Sequence, residues 1–143
     1  MTTLPDNEAA ITGGCLCGRI RFVAPATPHF EVNCHCRICQ KVTGSGYTPV
    51  AAFAEQSVVI EGEIRYYERR GDSGGKVWEG FCPDCGARLT GKAEAMPGLL
   101  LLQAGNYDQP ERFKPSMDIF TASAAPWDAM DPALAKYEGM PPL

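Results

Sequence analysis

The chain has 143 residues, a hydrophobic share of 45%, a formal charge of −4 and a pI near 5.1. That length suits one domain, able to bury roughly 70% of its unfolded surface, and the acidic balance argues against nucleic acid or an anionic membrane as partner. The apolar run Leu99–Leu102 is strand-sized, short of the ~20 residues a spanning helix needs, and Met1–Ala10 carries no export-signal pattern, so a soluble cytoplasmic protein is expected.

A tail over 1–10 precedes the folding unit, expected over 11–143. Strand-like runs then follow one another, short, β-branched or aromatic, and separated by glycine and proline. Arg19–Val23 alternates, with Ile20 and Phe22 on one face and Arg19 and Arg21 on the other, and Phe30 and Val32 alternate likewise. One or two helical turns are expected after Cys36, ending by Gly44. Strands are expected at Tyr47–Phe53, Val58–Glu61 and Ile64–Glu68, the last two joined as a hairpin through Gly62-Glu63. Lys76–Phe81, Ala87–Thr90, Leu99–Gln103 and Met117–Thr121 complete the set, and the proline-rich stretch from Ala124 reads as irregular chain over the core. The class is mostly β, a single domain of short strands.

Seven cysteines cannot all pair as disulfides, and in a chain without an export signal such close spacing points to metal. Gly14-Cys15-Leu16-Cys17-Gly18 and Phe81-Cys82-Pro83-Asp84-Cys85-Gly86 are both glycine-flanked turns between strand candidates. Cysteines spaced i, i+2 on extended chain point to one side, and a Cys-x-x-Cys-Gly turn aims two sulfurs at one point. Glycine allows a left-handed backbone there, with amides facing the thiolates. Together Cys15, Cys17, Cys82 and Cys85 supply the four thiolates of a closed, structural zinc site.

Cys34, Cys36 and Cys39 form a second set, convergent within one loop. Three protein ligands leave one position of a tetrahedral zinc open, the arrangement of a reactive site. Three thiolates make that centre electron-rich, which favours a soft ligand such as another thiol over hydrolysis. Two alternatives stand beside this: His35 as a fourth ligand that closes the site, and a metal-free redox pair of Cys34 and Cys39. A zinc deaminase does not fit, because its catalytic glutamate is missing from the motif positions. Arg37 and Lys41 are the nearest cations for a carboxylate or a developing alkoxide, and Trp78, Tyr47 and Trp127 are candidates to line a pocket.

These motifs resemble the glutathione-dependent formaldehyde-activating enzyme (GFA) family, also represented in centromere protein V. The matching residues are Gly14–Gly18, Cys34-His35-Cys36-Arg37-Ile38-Cys39-Gln40-Lys41, Gly75-Lys76, Phe81–Gly86, Gly105-Asn106-Tyr107-Asp108, Pro126-Trp127 and Glu138-Gly139-Met140-Pro141-Pro142. The resemblance implies a β-tent fold of short antiparallel strands, two zinc ions, and a carbon–sulfur lyase that joins formaldehyde to glutathione. By motif, Cys15, Cys17, Cys82 and Cys85 would hold the structural zinc, and Cys34, Cys36 and Cys39 the catalytic one. Members often carry a basic residue near the Phe-Cys step and another before Pro-Trp; this chain has Glu79-Gly80 and Ala124-Ala125 there. A non-catalytic zinc-stabilised binding module and a thiol redox sensor are the competing readings.

Overall fold

The computed structural model describes residues 9–142, so most of the expected tail lies outside the described residues. The strands are β1 (Ile11–Gly14), β2 (Arg21–Ala24), β3 (Phe30–Cys34), β4 (Thr48–Ala54), β5 (Val59–Glu61), β6 (Arg65–Arg70), β7 (Lys76–Phe81), β8 (Arg88–Ala93), β9 (Leu99–Gln103), β10 (Met117–Ile119) and β11 (Ala135–Lys136). The one α-helix described, α1 (Arg37–Thr43), ends on Gly44 in the left-handed region, where the sequence places its stop. No described helix is long and apolar enough to cross a membrane.

Two sheets form. A three-stranded sheet runs β1-β2-β5, and an eight-stranded sheet runs β11-β10-β3-β4-β9-β8-β7-β6. The expected alternation holds in β2, where Phe22 and Ala24 are buried and Arg21 and Val23 exposed. Period-two geometry explains why β4 and β9 are apolar on both faces. Ala51, Phe53, Leu100 and Leu102 join Ile11, Phe22 and Tyr107 in the core against the small sheet. Val50 and Leu101 point the other way, into a second cluster with Val32, Cys34 and Ile119. Burying a side chain such as Phe53 or Leu102 contributes about 1.5–3 kcal/mol.

Three details depart from the sequence expectations. The hairpin through Gly62-Glu63 does not form: β5 pairs with β2 and β6 with β7, so the chain changes sheets there. Gly62 takes φ +100°, and a Cβ on it would stand 2.6 Å from the Arg19 carbonyl, so the turn is pressed against the start of β2 rather than folding back on β5. Second, the pairing is not wholly antiparallel, because β10 runs parallel to both β3 and β11. Third, β1 is a strand that the local pattern does not announce, and the C-terminal stretch supplies β11. Both are short strands, and each is fixed by its neighbour in the sheet, β1 by β2 and β11 by β10, rather than by an alternation of its own residues.

Candidate functional site

The four-cysteine cluster is built from two turns of like construction. The Cys15 amide donates to the Ile20 carbonyl at 3.0 Å, and the Cys82 amide to the Ala87 carbonyl at 3.0 Å, each closing a loop five residues on. Gly18 (φ +82°) and Gly86 (φ +77°) take left-handed conformations, and a Cβ on either would meet nothing within 4 Å, so it is backbone shape and not space that requires glycine. Amides then face the sulfurs, with Ile20 N 3.3 Å from Cys15 Sγ and Asp84 N 3.4 Å from Cys82 Sγ. The Ala87 amide is the main reason the Cys85 thiol is lowered to about 6.

The four sulfurs lie within 4.8 Å of one another, with Cys15–Cys17 at 3.6 Å and Cys17–Cys82 at 3.8 Å. A tetrahedron with metal–sulfur bonds of about 2.3 Å has edges of about 3.8 Å. The donor set therefore fits a zinc-sized ion. Cys82 and Cys15 are buried with Ile20 and Leu89, so the clip sits on a small apolar cluster of its own.

The three-cysteine cluster joins three kinds of local structure. Cys34 ends β3, Cys36 caps α1 by accepting the Cys39 amide at 3.3 Å, and Cys39 lies in the first helical turn. Their sulfurs also lie within 4.8 Å of one another. So close a set cannot carry three charges unaided: contact with Cys36 and Cys39 drives the Cys34 thiol upward, while contact with Cys34 draws Cys36 down to about 2. A cation at the centre would relieve that conflict.

His35 is not a fourth ligand. Its side chain is 1% exposed, and its ring nitrogens face Asp118 at 2.7 Å (Nε2) and Asp128 at 2.5 Å (Nδ1). Asp118 also lies 2.9 Å from Lys136 Nζ. Burial works against its charge, but Lys136 and His35 outweigh burial and hold its carboxyl below the usual range. The His35 amide donates to the Ile119 carbonyl at 3.0 Å, and the Gln40 side-chain amide to the His35 and Ser123 carbonyls at 2.8 and 3.0 Å. The cysteine loop is thus fastened to β10 and to the segments on either side of Pro126-Trp127. The sequence carries no local signal for Asp118 or Asp128 as partners of His35.

Beside this loop opens a cleft of about 320 Å³. Thr43, Ser45 and Tyr47 line it; Thr43 Oγ1 donates to the Cys39 carbonyl at 2.8 Å, and the Tyr47 ring lies 5.2 Å from that of His35. Arg88, Gln103 and Asn106 line it as well. Of the pocket candidates, Tyr47 lines the cleft. Trp127 does not line it; it is 70% exposed and packs over Gly46, where an added Cβ would meet its ring at 3.1 Å. Trp78 lies away, donating to Glu68 across the β6–β7 pair. Arg37 and Lys41 are exposed, and Arg37 donates to Gln40.

Arg88 is the residue that sequence reasoning misses. It stands on β8, but its Nε donates to the Gly80 carbonyl at 3.3 Å and its Nη2 to Glu79. The turn through Cys82 and Cys85 therefore returns a cation to the Phe-Cys step, where the linear sequence shows only Glu79-Gly80. The signal available is the antiparallel register itself, in which β8 must lie beside β7.

A mostly β domain carrying one closed and one three-membered sulfur cluster, each able to hold a metal ion, defines the class of protein. The chain belongs to the glutathione-dependent formaldehyde-activating enzyme (GFA) family, whose model matches residues 10–123. A crystal structure of a Rhodobacter sphaeroides protein is similar in fold, with a TM-score of 0.52 at 18% identity, covering 68% of this chain and 87% of that one. No match was found among curated proteins.

Proposed function

We propose that this protein is a zinc-dependent carbon–sulfur lyase of the GFA type, joining a thiol to a small aldehyde at the three-cysteine site, with glutathione and formaldehyde as the family's default pair. In this reading Cys15, Cys17, Cys82 and Cys85 would hold a structural ion, and Cys34, Cys36 and Cys39 would hold a second ion beside the reacting thiol. The observation that carries it is that the second cluster stops at three sulfurs among the described residues, while the histidine between them is committed to two carboxylates. When bound, zinc on three thiolates supplies an open position suited to a soft ligand and so favours the ionised form of a substrate thiol.

The chain's own residues then position and contain. Cys36 as helix cap and Cys34 as strand end hold the loop between two rigid elements, and the cleft beside Thr43 and Tyr47 takes the body of the substrate. In the addition, the thiol sulfur forms a bond to the carbonyl carbon. The carbonyl π pair moves to oxygen, which gains the proton that the thiol gave up.

Aldehyde consumption with a panel of thiols, read above the uncatalysed background, tests this. The native chain is expected to hold close to two zinc ions and to accelerate thiol-dependent aldehyde loss; Cys36→Ser is expected to keep its fold, lose one ion and fall to background. Two bound ions without any thiol-dependent aldehyde loss would favour a binding module, and a single ion with three titratable thiols a redox sensor.

A further inference from the structure

We propose that Phe120 is a positioning residue for the three-cysteine loop, its ring a seal that keeps water and competing ligands from one flank, a role that rests on the reading of Cys34, Cys36 and Cys39 as the reactive site. The backbone supplies the first observation. Phe120 has φ +57° and ψ +37°, and among the described residues it is the one non-glycine with a positive φ. A bulky side chain is strained in that region, and such strain persists only where the surroundings fix it.

Hydrogen bonds do fix it. Just before the left-handed step, the Asp118 carbonyl accepts the Tyr137 amide and the Ile119 carbonyl accepts the His35 amide, both at 3.0 Å. The Phe120 amide donates to the Gly139 carbonyl at 3.2 Å, and its own carbonyl accepts the Ser123 amide at 3.1 Å. Thr121 then donates to the Tyr137 carbonyl through its amide at 3.0 Å and its hydroxyl at 3.1 Å. Groups on both sides of Phe120 are thus committed, to the cysteine loop through His35 and to the chain around Tyr137.

What the strain achieves is a change of face. Successive residues of a strand point to opposite sides of a sheet, so a β10 that continued through Phe120 would send its ring away from the side that Ile119 occupies. Instead Ile119 is buried in the apolar cluster with Cys34, and Phe120 packs against that same cluster, as do Cys36 and Cys39. Phe120 is half-buried like those two cysteines, so its ring stands where the cluster meets solvent. Apolar cover around a metal site governs the entry of solvent, and an ion on three sulfurs has a position open to it.

Release of zinc from the loaded chain to a chromogenic chelator tests this, with Cys36→Ser marking the phase that belongs to the four-cysteine ion. Phe120→Ala is expected to speed release from the three-cysteine site about tenfold and to leave the four-cysteine ion as in the native chain, with Phe120→Leu intermediate. Phe120→Gly separates ring from backbone, and stands in for Phe120→Ala should that variant misfold. It removes the same ring but relieves the left-handed strain, so it is expected to unfold at higher denaturant than Phe120→Ala while releasing the ion as fast. Three results overturn the seal: unchanged release in the ring-less variants, equal acceleration at both clusters, or release in Phe120→Gly that returns to the native rate along with stability. A native chain that holds two ions yet consumes no aldehyde with thiols removes the reaction and leaves this comparison intact. In a native chain that holds one ion, the seal is read on the free thiols of the three-cysteine loop. There a bulky maleimide is expected to react severalfold faster with Phe120→Ala than with the native chain, and equal rates overturn the seal.

Discussion

His35 lies in the middle of the three-cysteine loop, yet its part is to anchor and not to ligate. Leaving one partner of a buried hydrogen bond unsatisfied costs about 1–3 kcal/mol. Asp128→Asn keeps size and one acceptor oxygen but weakens the bond to His35, so a loss of about 1–3 kcal/mol is expected in denaturant unfolding of the zinc-loaded chain. The same variant is expected to release the ion of the three-cysteine site faster to a chromogenic chelator while the four-cysteine ion is unaffected. Equal release from both clusters would show that Asp128 acts on the whole fold and not on this loop. The cysteines themselves are legible in the sequence because ligand spacing is a local property. Asp118 and Asp128 are not, since each meets His35 more than eighty residues along the chain.

At the level of the elements, the two cysteine turns join β1–β2 to β7–β8, and thus the small sheet to the outer part of the large one. Structural zinc contributes about 10–16 kcal/mol in small peptide systems, against a typical domain stability of about 5–15 kcal/mol. Cys82→Ser is therefore expected to abolish the cooperative fold, seen as loss of far-ultraviolet circular dichroism and of both ions, in contrast to Cys36→Ser. A soluble, cooperatively folded Cys82→Ser chain would remove the four-cysteine cluster from its stabilising role. Glycine in Cys-x-x-Cys-Gly announces its turn, and the helix stop at Gly44 is equally local. The β5–β6 hairpin fails to form for the opposite reason. A glycine turn between two strand-like runs does not say which strands the runs will pair with, and β2 and β7 win that competition through register and burial.

Across the whole molecule, the two sheets are also fastened away from the cysteines. Asp108 accepts from Thr12 Oγ1 at 2.7 Å and from Arg21 Nη1 at 2.9 Å, and its amide donates to the Thr12 carbonyl at 2.9 Å. Arg21, then Thr12, lower its carboxyl from 3.8 to about 2. A depressed carboxyl contributes stability that is fully present above its unfolded value near 3.8 and is lost as pH falls toward about 2. The side chains are 45% and 40% exposed, so screening keeps the pair's contribution under about 1 kcal/mol. Asp108→Asn is expected to lower stability by that modest amount at neutral pH, with the difference from the native chain closing through the acid window. A difference that persisted below about pH 2 would assign the effect to packing.

The sequence by itself determined the two cysteine sets and the family: the division of the cysteines into four and three, the turns that present them, and the helix that follows. These depend on neighbours a few positions apart, where backbone geometry leaves little choice. Only the tertiary structure decided what surrounds the three-cysteine loop. The parallel β10, the carboxylates that hold His35, and the arginine that β8 lays beside Gly80 all depend on which distant segments pair. That choice follows from competition among burial, register and hydrogen bonding over the whole chain, and no short window of residues contains it.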